Sequence, residues 1–264
     1  MTKYDHYQRL LFSLKDRILT VTLNRPEKLN IFDEEMEREV TQFLVDGALD
    51  KDFDIVILTG AGRAFSAGGD VENWMLKNVE DPSRVDTVLS KRVVFAMLEF
   101  PKPIIAKLPG HAVGLGATVA LFCDVIFASN EAKIGDPHVR MGLSAGDGGA
   151  VIWPQLIGYA RAREYLMTGE LVSAPKAAEI GLINYAVPPE ELDAAVDAFV
   201  QKLSKGALGA ISATKQTVNL GLKQVAAAIM DASIAYEKLT VYSRDHAEAV
   251  HAFLDKRKPQ FTGK

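Results

Sequence analysis

The sequence predicts an α/β fold built on a parallel, helix-covered sheet. Three observations carry this. The runs at 54–59, 103–108 and 124–128 are continuously apolar, as strands buried on both faces must be. Helical stretches at roughly 82–100 and 115–122 lie between them, giving the strand–helix alternation of a parallel sheet. After about residue 188 strand signals stop, and the chain reads as helix.

Taken in order, 10–14 and 17–23 read as two strands of a hairpin around Lys15-Asp16. Asp33 reads as the N-cap of a helix reaching Leu49, because an acidic first turn precedes apolar Met36, Val40, Phe43 and Leu44. The strand 54–59 ends on Gly60-Ala61-Gly62, a tight turn. Four C-terminal helices are expected at 190–204, 207–222, 224–242 and 245–256. The expected organisation is a core over 1–188 and a helical region over 189–264, with no low-complexity linker and no repeat.

With 264 residues, 48% of them hydrophobic, the chain can bury a large core without metals or disulfides. A net charge of −4 offers no basic field for a nucleic-acid backbone, so nucleic acid is not an expected partner. The single cysteine, Cys123, has no second thiol to pair with and sits in an apolar run, as a reduced structural residue would. No apolar run reaches spanning length, and the N-terminal segment has no signal-peptide core; a cytoplasmic location, away from membranes, is the expectation.

Two segments have the composition of reactive loops. Ala64-Phe65-Ser66-Ala67-Gly68-Gly69-Asp70 follows a buried strand and precedes a short helix; Pro109-Gly110-His111-Ala112-Val113-Gly114-Leu115-Gly116-Ala117-Thr118 repeats the pattern. Glycines and small residues let a ligand approach the backbone, and each loop could aim one N–H at a shared oxygen. Taken alone, the first reads more readily as a turn that binds nothing. His138, in Gly135-Asp136-Pro137-His138, and Asp147, nine residues later, could form a carboxylate-held imidazole base; a bare pair at this spacing is more often structural.

Taken together, these segments resemble the crotonase superfamily, the enoyl-CoA hydratase/isomerase family, over nearly the whole chain. The resemblance extends to Asn24-Arg25-Pro26-Glu27-Lys28-Leu29-Asn30, Leu166-Met167-Thr168-Gly169-Glu170 and Lys256-Arg257-Lys258-Pro259-Gln260-Phe261. It implies a spiral of ββα units with a helical C-terminal trimerisation region, forming trimers or dimers of trimers. It implies an acyl-CoA substrate, no metal, and no cofactor beyond the CoA that the substrate carries. By resemblance, Ala67 and Leu115 would supply the oxyanion-hole N–H groups, Leu115 standing where the family usually has glycine and narrowing the acyl pocket. Arg25, Lys28, Ala64, Gly68, Gly69, Asp70, Val71 and Gly114 would hold the CoA thioester, with Lys258 and Phe261 on a tail closing over it. Without the family, such Arg and Lys residues read as solvated surface charges.

The departures are as informative. Hydratases of the family usually carry two glutamates, and Thr118 and His138 occupy those positions here. Thr118 can orient a group but is no acid near neutrality. The expected activity is enoyl-CoA hydratase/isomerase-type enolate chemistry, with His138 as acid/base and Asp147 as its orienting partner. The alternative is a hydrolase: the pair also resembles that of β-diketone hydrolases of the 6-oxocamphor hydrolase type, in which activated water performs a retro-Claisen cleavage, or it could hydrolyse a thioester. A silent CoA-binding scaffold is a third reading. Glu72 is a candidate pocket-edge acid, and His111 reads as a loop residue outside the chemistry.

Overall fold

The computed structural model describes residues 3–84 and 88–264. Strands β1 (Leu10–Lys15) and β2 (Ile18–Leu23) form the expected antiparallel hairpin. Helix α1 (Glu34–Leu49) begins where Asp33 accepts a hydrogen bond from the Met36 N–H, the cap that the sequence predicts. After β3 (Ile55–Gly60) the chain enters the first glycine loop and a wide helical turn, Val71–Met75, that runs into α2 (Leu76–Glu80). The helix expected over 82–100 is a single turn at Pro82–Arg84 and then α3 (Val88–Glu99); 85–87 lie outside the described residues.

Next come β4 (Ile104–Leu108), β5 (Ala112–Val113), α4 (Leu115–Leu121), β6 (Val125–Ser129) and β7 (Lys133–Gly135). Helix α5 (Gly149–Thr168) is broken at Gly158, and β8 (Val172–Ser173), α6 (Ala174–Glu179) and β9 (Tyr185–Val187) follow. The C-terminal region is α7 (Leu192–Ser204), α8 (Leu208–Val241) and α9 (Arg244–Leu254). The two helices expected at 207–222 and 224–242 are one continuous helix, because Leu222-Lys223-Gln224 contains only good helix formers.

The main sheet has the order β1-β2-β3-β4-β6-β9, parallel from β2 onward, and β5-β7-β8 form a small second sheet. The uninterrupted apolar strands have a simple cause. Ile55 and Ile57 of β3, with Ile105 and Phe127, pack against Leu192, Val196 and Val200 of α7, while Val56 and Leu58 enter the main core on the opposite face. Helix α8 packs across α3 and α5, which brings its last turns to the loop that leads into α5. Cys123 is buried in the main core, and burial pushes its thiol pKa up.

Candidate active site

The two glycine loops meet. Val113 N–H donates to Ser66 O and Ser66 N–H to His111 O, so the second loop is laid along the first. Gly114 has φ +54° and ψ −130°, a backbone conformation that favours glycine, and it stands where the second loop meets Gly68 and His138. The cleft beside them has a volume of about 770 Å³ and is lined by Ala67, Gly68, Gly69, Asp70, Val71, Gly114, Leu115, His138, Asp147 and Glu237, among others.

The geometry corrects the donor expected in the first loop. Ala67 N–H is spent on Leu29 O at 3.0 Å, Gly68 N–H on Ser66 Oγ at 3.2 Å and Asp70 N–H on Phe32 O at 3.0 Å. The Gly69 N–H has no partner among the described residues, and Gly69 lines the cleft. The parallel bridge between Phe32 and Gly69 causes this, because such a bridge bonds the residues either side of Gly69 and leaves its own N–H out. Leu115 is the first residue of α4, so its N–H precedes the intrahelical ladder. Its side chain is buried against the cleft.

His138 lies one residue beyond Pro137 in the turn after β7. Its Nδ1–H donates to Asp136 Oδ1, and Nε2 faces Asp147 Oδ2 at 3.4 Å and Glu237 Oε1 at 4.0 Å. Asp147 was expected to orient the ring. That task falls to Asp136, fully buried on the far nitrogen, while Asp147 shares the cleft edge with Nε2. A Cβ on Gly149 would lie 1.9 Å from Asp136 Oδ2, so only glycine leaves room for that carboxylate. Thr118 donates its hydroxyl to Asp147 Oδ1 at 3.2 Å from behind and does not line the cleft.

Burial works against charge on His138, but the carboxylates of Asp136, Asp147 and Glu237 outweigh it and hold the imidazole well above its ordinary pKa. Burial raises Asp147, with His138 opposing. Burial also pushes Glu237 up to about 8, opposed by His138 and reinforced by Asp147, Asp136 and Glu37. Asp136, His138 and Asp147 offer ligand atoms within 4.8 Å of one another. The two carboxylates address opposite ring nitrogens.

Several expected CoA contacts fall elsewhere. Arg25 does not line the cleft: it donates to Ile31 O and pairs with Asp33 at 3.0 Å and Asp70 at 3.7 Å, bracing the first loop. Asp70 caps the following turn through Asn73 N–H. Ala64 is buried, its carbonyl accepting from Asn30 Nδ2, off the cleft. Lys28 lies on the cleft rim, 3.7 Å from Glu72, which also lines it. Lys258 and Phe261 do not line the cleft of their own chain. Glu248 binds Arg257 and the Gln260 N–H, and Asp245 accepts the Thr262 and Gly263 N–H groups, folding the tail back onto α9. His111 accepts from Lys133 N–H, away from the cleft.

Asp136 and Glu237 escaped the sequence reading. Asp136 sits in the quoted Gly-Asp-Pro-His segment without a signal to separate it from a turn aspartate. Glu237 had a signal: it falls on the buried stripe of α8 with Met230, Ile234 and Val241, where a carboxylate is out of place.

Fold and cleft together define an α/β enzyme of the crotonase spiral class. Residues 13–264 match the family model described as enoyl-CoA hydratase/isomerase. The chain is 34% identical over 262 residues to a 1,2-epoxyphenylacetyl-CoA isomerase of Escherichia coli, covering 97% of this chain and 98% of that one. It is 30% identical over 261 residues to a crotonyl-CoA hydratase of Syntrophomonas wolfei, covering 98% and 99%. A crystal structure of an enoyl-CoA hydratase from Mycobacterium avium subsp. paratuberculosis superposes with a TM-score of 0.87 at 27% identity, covering 97% and 99%. The chain belongs to the enoyl-CoA hydratase/isomerase family and is an acyl-CoA-thioester enzyme of the lyase/isomerase type. The hydrolase alternative is not favoured by these relatives. No helix among the described residues is long and apolar enough to cross a membrane.

Proposed function

We propose that this enzyme shifts a double bond within an enoyl-CoA thioester by moving a proton, rather than adding water across it. One observation carries the reading: Thr118, at a position where hydratases of the family hold a glutamate, turns its hydroxyl onto Asp147 and supports a base instead of presenting an acid. The thioester oxygen would sit between the N–H groups of Gly69 and Leu115, which stabilise it as it becomes an enolate. His138 and Asp147 act as one base. The ring is charged at neutral pH, so the accepting atom is Asp147 Oδ2, and the imidazolium held by Asp136 then faces the developing negative charge.

No resident cofactor is needed, since CoA arrives on the substrate, and Lys28 on the rim suits its phosphates. Exposed Val218, Leu220, Tyr236, Leu239 and Tyr242 on and just after α8 support assembly into a trimer or dimer of trimers. A cytoplasmic location fits an enzyme supplied with CoA thioesters. The test is to incubate the purified protein with 3-enoyl-CoA and 2-enoyl-CoA substrates. Conversion of the 3-enoyl to the conjugated 2-enoyl thioester at unchanged mass is expected; a product heavier by one water as the main species would overturn the reading.

A further inference from the structure

A double-bond shift needs two proton transfers, one from the carbon next to the thioester and one to the carbon two positions further along. The His138–Asp147 pair accounts for the first. A second acid is present in the cleft: Glu237, in the penultimate turn of α8, lines it with Oε1 4.0 Å from His138 Nε2. That separation exceeds a hydrogen bond, so the carboxyl approaches the ring without being consumed by it.

Its position is rigid. A Cβ on Gly146 would lie 2.5 Å from Glu237 Cβ, so the side chain is packed against the backbone immediately before Asp147. The end of α8 is fastened to the same loop: Ser144 N–H donates to Thr240 Oγ1, which donates to Glu237 O. A buried acid placed on an otherwise apolar stripe, and built into the loop that carries Asp147, is costly unless it serves the site.

We propose that Glu237 is the second catalytic acid/base of this enzyme, donating the proton that completes the double-bond shift while Asp147 receives the one removed at the start. The inference rests on the double-bond-shift reading. The steps balance without a co-reactant. The C2–H bond breaks, its proton goes to the Asp147 carboxylate, and its electron pair enters the dienolate. The Glu237 O–H bond then breaks as a C4–H bond forms, leaving a Glu237 carboxylate. His138 Nε2 faces both carboxyl groups, and a proton returns from Asp147 to Glu237 through it once the Glu237 carboxyl closes the 4.0 Å gap to hydrogen-bond distance, restoring the starting state. Burial lifts Glu237 to about 8, so it is protonated and able to donate at neutral pH. The groups that set this are His138, which opposes it, and Asp147, Asp136 and, from α1, Glu37, which reinforce it.

The experiment follows two signals on one substrate, 3-enoyl-CoA in deuterated water: incorporation of deuterium at C2 of recovered substrate and formation of the 2-enoyl product. Glu237→Gln is expected to lower product formation on the order of 10²- to 10⁴-fold, with C2 exchange and KM within about threefold of wild type. The fall in the wild-type rate as pH rises through about 8 should disappear from the residual activity of the variant. Should Glu237→Gln fail to fold, Glu237→Asp carries the test. It keeps the acid but withdraws it, and is expected to lower product formation on the order of 10²-fold while exchange persists. Product formation at the wild-type rate in Glu237→Gln overturns the proposal, as does an equal loss of exchange and product in either variant, the mark of a structural role. A wild-type enzyme that neither exchanges nor shifts any enoyl-CoA overturns the double-bond-shift reading itself and removes the basis for this one.

Discussion

Two charged clusters lie beside the first glycine loop, and their compositions differ. In one, Arg9 and Arg25 meet Asp33 and Asp70, two cations to two anions, each carboxylate also capping a helical turn. In the other, His138 alone faces Asp136, Asp147 and Glu237. The first cluster is satisfied as it stands and fixes backbone. The second cannot have every member ionised at low cost, so at least one proton is shared, and a proton so poised can be transferred. The contrast separates groups that build the cleft from groups that react in it.

The contrast breaks most directly on activity. His138→Ala should reduce turnover by about 10²- to 10⁴-fold with little change in KM, and Asp147→Asn should cause a large loss that does not add fully to it. Steady-state kinetics of the single and double variants check this; near-full turnover in both single variants would make the His138–Asp147 pair structural. Arg25→Ala should do the reverse, costing about 3 kcal/mol of stability by leaving the buried Asp70 without its cation and Asp33 with Arg9 alone. Urea melts should show it, and a turnover loss without destabilisation would place Arg25 in the chemistry after all.

Stability against pH sharpens the same distinction. Glu237 is raised to about 8 from an ordinary 4.5 and His138 is also raised, so the folded state holds protons that the unfolded chain releases. Their contribution is fully present below the unfolded values and is lost as pH rises through the folded ones, so stability should fall from about pH 5 to pH 8 and beyond. Glu237→Gln should flatten that slope, as read by denaturant midpoints across the range. Smaller effects follow at the margins. Thr118→Val removes one hydrogen bond to Asp147 worth about 1 kcal/mol, so turnover should fall several-fold. Lys28→Ala, on an exposed rim, should raise KM for the CoA thioester by about two- to threefold, an effect that salt reduces.

The local pattern of the sequence determined much of this. Unbroken apolar runs with covering helices implied the sheet, Asp33 with its acidic turn implied the start of α1, and the paired glycine loops with His138 and Asp147 implied the place of the chemistry. These features act over a few residues, within the reach of sequence spacing. The short strands β5, β7 and β8 were not legible, because two or three residues carry no period and form only where the loops already lie together. Tertiary structure alone decided which backbone N–H remains free. Ala67 and Gly69 are alike in sequence, and Leu29 and Phe32, far along the chain, consume the one and spare the other. It also decided which carboxylate holds which edge of His138. Asp136 reaches Nδ1 because Gly149 leaves it room, and Glu237 reaches the cleft because one long helix crosses the molecule, a distance at which sequence neighbours exert no constraint.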